Sequence, residues 1–294
     1  MKKLLIPLLL SLLLSSSALA DQLWRNDAGE QFQYEVVGGY AVLTGYDVEN
    51  FTPEEILIPD TLGGLPLREI GANALNNWDC SYDEEAVLRI VIPEGVTALR
   101  NGAFLCCHHV PCIELPSTLE IIEVGGTFSH VTAEVVFPNG NPHFTAENGF
   151  LIDQRTSALL YCAPSADAFE LPSVRRIEDS AMDNYCHDAT QLIFPDGLEY
   201  IGSYNAYDRP LPERIEVPGS VIELGEQALC INSATEIVLH EGLRRIGSEA
   251  LAHTNIQSIT VPSTVEWIAP DAFGSLDAEH VTLLNPDCIW EYEY

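Results

Sequence analysis

The sequence predicts a repeat solenoid, with a narrow parallel β-sheet on one side and turns with short helical segments on the other. Three observations predict it. Stretches opening at Ile215, Ile237 and Ile259 read IEVPGSVIELGEQAL, IVLHEGLRRIGSEAL and ITVPSTVEWIAPDAF, one phrase repeated at a strict spacing of 22 residues. Each copy opens on apolar–variable–apolar and normally Pro, turns, steps through V/L-x-x-I/L, and closes on Ala with Leu or Phe. The opening recurs at Ile56–Pro59, Ile90–Pro93, Ile113–Pro116, Val135–Pro138, Phe169–Pro172 and Leu192–Pro195, with a truncated last copy at Val281–Leu283. A fixed period in the twenties marks units that bury their apolar side only by stacking on their neighbours.

Each part of the phrase has a physical role. Three residues with apolar first and third positions make a short strand with those two side chains on one face. The proline after it has no N–H to give and ends the pairing at the same point in each coil. Gly95, Gly197 and Gly242 then fall where a turn needs positive φ. The later apolar positions and the small Ala fill the interior from the opposite wall. About ten such coils, stacked at the usual strand spacing, give a curved rod with a ladder roughly 45 Å long.

The repeat I-x-I/V-P-x-x-V-x-x-I-G-x-x-A-F, as it stands at Ile90–Phe104, Ile237–Leu251 and Ile259–Phe273, resembles that of the BspA-like leucine-rich-repeat family of bacterial and protist surface and secreted proteins. The resemblance runs over about residues 30 to 284. Two coils depart from it: His240 stands where proline is usual, and Gly125-Gly126-Thr127-Phe128 carries one extra residue. The resemblance implies a leucine-rich-repeat-like fold and a secreted or surface-displayed recognition protein, often an adhesin. It names no ligand.

Taken in order, residues 1–20 read as a cleaved signal peptide. Lys2 and Lys3 form its charged start, Leu4 to Leu14 its apolar middle, and Ala18-Leu19-Ala20 its cleavage site. Residues 21–50 read as an N-terminal capping β-hairpin, with Phe32–Val37 and Tyr40–Leu43 joined through Gly38-Gly39. Residues 51–284 carry the coils. Two insertions break the period, one near 76–86 with Trp78 and Tyr82 in an acidic run, the other near 139–168 with a hairpin turning at Gln154–Ser157. Residues 285–294 are left as a C-terminal cap or tail.

Both lysines of the chain lie in the leader, so the remaining residues balance 44 acidic side chains with arginine alone. Such a field repels nucleic acid and anionic membrane surfaces and attracts cationic partners or divalent ions, while also keeping copies apart in solution. No stretch after the leader is long and apolar enough to insert in a membrane. The expected place is outside the cytoplasm: secreted, periplasmic or at the cell surface.

An exported chain with eight cysteines is expected to form disulfides. The spacing does not choose among roughly a hundred pairings. Cys106-Cys107-His108-His109-Val110-Pro111-Cys112 has soft ligands, but no second Cys/His pair at a finger or ribbon spacing, so no metal or cofactor is expected. There is no G-x-S-x-G, H-E-x-x-H or phosphate-cradling glycine loop. The chain therefore reads as a binding protein and not an enzyme. The middle residue of each strand points away from the interior, which makes Glu114, Val136, Glu170, Ile193, Glu216, Val238 and Thr260 the candidate ligand face. Trp78 is the candidate contact in the first insertion. The expected partner is an extracellular protein or glycan, and the alternative is a structural spacer with no dedicated ligand.

Overall fold

A computed structural model describes residues 21–48, 53–76, 87–107, 110–163, 169–183, 192–205, 212–230 and 233–290. The leader, the insertion bearing Trp78 and Tyr82, Cys80, Cys186, and the His108-His109 pair lie outside them. The chain is a parallel β-solenoid of about ten turns.

Strands β1 (Gln22–Arg25), β2 (Glu30–Val37) and β3 (Tyr40–Val48) form an antiparallel sheet at the N-terminal end. Gly38 and Gly39, both at positive φ, make the β2–β3 turn. β3 then pairs in parallel with Leu65–Ile70, so this sheet passes directly into the coils.

The opening of each repeat makes the front ladder. Glu55–Leu57, Arg89–Val91, Cys112–Glu114 and Glu134–Val136 pair in parallel as one sheet. Phe169–Glu170 pairs with Leu192–Ile193, Arg214–Val217 with Glu236–Leu239, and Ile259–Val261 with Val281–Leu283. The apolar first and third positions face inward: Ile90 with Ile92, Ile215 with Val217 and Ile259 with Val261 are all buried. Full burial of such a side chain contributes about 1.5–3 kcal/mol.

The opposite wall differs from the sequence expectation. In place of short helices it holds a second parallel ladder and a column of turns. The one helical element among the described residues is a 3₁₀ turn at Ala278–His280. The V/L-x-x-I/L step supplies the second ladder, which runs through Ala158–Cys162, Arg176–Ile177, Tyr200–Ile201, Glu223–Leu224, Arg245–Ile246, Trp267–Ile268 and Ile289–Trp290 without a break. The Ala-Leu/Phe close forms the turns, which also bond from coil to coil: Tyr204 N–H donates to Glu226 O, Gln227 N–H to Ser248 O, and Leu251 N–H to Ala272 O. Helix cannot form here because the residue before the Ala, or before Asn205 in one coil, is left-handed in coil after coil, as at Asn73, Ser180, Tyr204, Gln227 and Glu249, with φ of 49° to 59°.

The second insertion is a three-stranded meander of Phe144–Glu147, Phe150–Asp153 and Ala158–Cys162. It divides the core. Tyr161 and Ala163 belong to a cluster reaching back to Phe32, while Leu159 and Cys162 belong to one running on to Phe273.

No disulfide joins two of the six described cysteines to each other, and the remaining two, Cys80 and Cys186, lie outside the described residues. Cys106, Cys107, Cys162 and Cys230 are buried among apolar side chains.

Candidate functional site

The front ladder brings most of the sequence-predicted face into register. Leu57, Val91, Glu114 and Val136 stand side by side on one sheet. Glu170 stands beside Ile193, Glu216 beside Val238, and Thr260 beside Thr282. Leu57 is 52% exposed and Ile193 49%; Glu170, Glu216 and Thr260 are also exposed, while Glu114, Val136 and Val238 are half-buried by their neighbours. The face therefore alternates aliphatic patches with carboxylates. It is not continuous, however, because its strands fall into four separate sheets.

Sequence reading missed what those interruptions create. Among the described residues no backbone hydrogen bond joins Leu192–Phe194 to Arg214–Val217, although the same two coils remain paired on the second ladder at Tyr200–Glu223 and Ile201–Leu224. The front of the solenoid opens there into a crevice of about 1270 Å³, lined by Ile193, Asp196, Pro212, Glu213, Arg214, Glu216, His240 and Glu241 among others. A smaller crevice of about 530 Å³ lies one pair further on, between Glu236–Leu239 and Ile259–Thr260. No signal in the repeat marks these openings, since Leu192 and Ile215 carry the ordinary phrase.

Arginine serves chiefly as an inter-coil clasp. Arg89 reaches Glu55 at 2.9 Å and Glu114 at 2.6 Å, and Arg100 reaches Glu69 at 2.6 Å and Glu123 at 2.8 Å. Arg175 pairs with Glu199, Arg214 with Glu236 and Arg244 with Glu266. Along the second ladder Arg176 lies 4.3 Å over the Tyr200 ring and Arg245 4.7 Å over Trp267. In the sequence this column stands as RRI, EYI, IEL, RRI and EWI, each ending on the second-strand residues. With the cations so engaged, the surplus charge of the surface is carboxylate. Within the crevice, the His240 hydrogen bond to Glu216, 2.7 Å long, holds that carboxyl below the usual range, aided by the charges of His240 and Arg214.

A second carboxylate motif locks turns together. Glu241 accepts from Ser263 N–H at 3.1 Å, Ser263 Oγ at 2.9 Å and Thr264 N–H at 3.2 Å. Glu94 accepts from Ser117 in the same way at 3.1 and 2.9 Å. The Ser263 N–H bond, foremost, holds Glu241 below the usual carboxylate range. Because the folded value is depressed, its stabilisation is complete above the unfolded value of about 4.3 and is lost as pH falls through the folded one. Glu241→Gln is therefore expected to lower Tm at pH 7, with the gap to the parent protein closing below about pH 4. Thermal melts of both proteins across pH check this, and equal Tm at pH 7 sinks it.

No buried metal constellation assembles among the described residues. Burial pushes the Cys106, Cys112 and Cys288 thiols up, away from the reactive thiolate. Only Asp277, Glu279 and His280 bring metal-ligand types together, all exposed. No helix among these residues is long and apolar enough to cross a membrane.

The match to a family model agrees with this geometry. The BspA type leucine rich repeat region matches as six copies over residues 65–143 and 156–278. No curated protein matches the chain. Similar solved structures include a leucine-rich repeat protein of Bacteroides ovatus, 17% identical over 87% of this chain and 67% of its own, TM-score 0.47. Others are a leucine rich cell surface protein of Faecalibacterium prausnitzii, 15% identical over 90% and 88%, TM-score 0.41, and a leucine rich repeat protein of T. pallidum, 18% identical over 76% and 86%, TM-score 0.38.

Proposed function

Because the chain belongs to the BspA-type leucine-rich-repeat family, whose members are often surface or adhesion proteins, we propose that it works outside the cytoplasm as a recognition protein. It binds an extracellular protein or glycan by its front face and performs no catalysis. The carrying observation is the front ladder itself: half-exposed Leu57 and Ile193 stand among carboxylates on an extended face interrupted by two crevices. Solenoids use such extended faces for binding. The predicted leader accounts for export, and the acidic field keeps the partner set to neutral or cationic surfaces, away from nucleic acid and anionic membranes.

The experiment is binding of the purified protein, without its leader, to a panel of extracellular-matrix proteins and glycans at low and physiological salt. A partner that persists at physiological salt, and is weakened at least tenfold by Leu57→Lys, Val136→Lys or Ile193→Lys, is the expected result. Partners that all vanish with salt would reduce the reading to a polyanion meeting basic proteins. No partner at all would favour the structural spacer.

A further inference from the structure

We propose that the crevice between Leu192–Phe194 and Arg214–Val217 is a docking site for an extended, basic segment of a partner protein. This deepens the recognition reading and rests on it. Three independent features of the crevice converge on that occupant.

The first is backbone. Among the described residues, strands Leu192–Ile193 and Arg214–Val217 each pair on one side, with Phe169–Glu170 and Glu236–Leu239 respectively. No backbone hydrogen bond crosses between them among the described residues. Their facing edges thus offer N–H and C=O groups to an added strand, the mode by which extended peptides join a sheet. The second is charge. Asp196, Glu213, Glu216 and Glu241 line the crevice with Arg214 and His240; Arg214 pairs with Glu236 and Glu216, His240 bonds Glu216, and Glu241 is held by Ser263 and Thr264. The carboxylates of Asp196 and Glu213 remain to receive lysine or arginine in preference to neutral or acidic side chains, and the surrounding acidic field steers cations toward them. The third is apolar surface. Ile193, half exposed, gives the stems of long basic side chains, or aliphatic residues alternating with them, a place to lie. A glycan fits less well, because the aromatic ring among the described residues of this lining, Phe194, is buried and offers little face for a sugar to stack on.

The probe is a fluorescein-labelled decapeptide of alternating lysine and valine, titrated against the full protein by anisotropy at physiological salt. A peptide with glutamate in place of lysine is the control. Expected are saturable binding of the lysine peptide and none of the glutamate peptide. Ile193→Lys, an exposed change, is expected to weaken binding at least tenfold, and Asp196→Asn with Glu213→Gln about fivefold, at unchanged Tm. Leu57→Lys, on the same face but four coils away or more, is expected to leave it unchanged. Equal binding of both peptides, or lysine-peptide binding indifferent to the Ile193 and Asp196/Glu213 changes, overturns the proposal. Should the crevice variants leave a panel partner's binding intact while Leu57→Lys or Val136→Lys removes it, the crevice assignment falls and the recognition reading stands. Should no front-face variant affect any panel partner, the recognition reading falls with it.

Discussion

Gly242→Ala is expected to destabilise the solenoid by about 3 kcal/mol or more, lowering Tm by roughly 5–10 °C. Two effects combine. Gly242 sits at φ +124°, which side chains other than glycine rarely adopt, and a Cβ built there falls directly on the carbonyl oxygen of Gly219 in the preceding coil. That neighbour is backbone, so no rotamer change relieves the overlap and the two coils must part. Gly197 occupies the same turn position in another coil, at φ +83° with nothing within 4 Å of its added Cβ. Gly197→Ala therefore isolates the conformational cost, about 1 kcal/mol. Chemical denaturation of both variants checks the contrast. Equal losses would mean that coil stacking is not tight at Gly219–Gly242.

Tyr161→Ala is expected to cost about 3–5 kcal/mol and to turn one melting transition into two. The ring is buried in the meander, in contact with Phe128 at 5.2 Å, and Phe128 stacks on Phe104 at 5.5 Å. It lies where the N-terminal and C-terminal core clusters meet. In a solenoid the coupling between halves passes only through such an interface, so weakening it lets each half melt alone. The hydroxyl adds a separate contribution, being shared between the carbonyls of Val131 at 3.1 Å and Ala133 at 2.7 Å. Tyr161→Phe keeps the ring and leaves those buried carbonyls short of a donor, for an expected loss of about 1–3 kcal/mol with a single transition retained. Calorimetry of the three proteins distinguishes these outcomes, and a single, barely shifted transition in Tyr161→Ala would contradict the account of the junction.

The repeat made the solenoid legible because each coil needs the same solution to the same problem: two inward apolar residues, a proline to stop the strand, and small or apolar fillers behind. Ile215, Val217, Leu224 and Leu229 are all buried, as their period requires. The second ladder was harder to read, because Glu223–Leu224 or Arg245–Ile246 is only two residues long and shows no alternation to mark a strand. The turns behind were harder still. Asn73 and Gly102 announce positive φ in two of them, but in later coils the left-handed residues are Ser180, Tyr204, Gln227 and Glu249, which carry no such signal. For the candidate site, period-two reading of the front strand places Glu216 and Val238 on one surface. It carries no information on whether neighbouring coils close against each other, because that depends on the paths between them. The crevice beside Ile193 therefore appears only in three dimensions.

The most direct test of the account is hydrogen–deuterium exchange of the full protein with and without its strongest panel partner. The two ladders provide an internal comparison, because they are built from the same coils and face different directions. Partner-induced protection is predicted over Leu192–Phe194 and Arg214–Val217, whose facing edges are unpaired, with Arg176–Ile177, Tyr200–Ile201 and Arg245–Ile246 unchanged. Protection confined to the second ladder or the turn column, with the front strands exchanging as in the free protein, would contradict it.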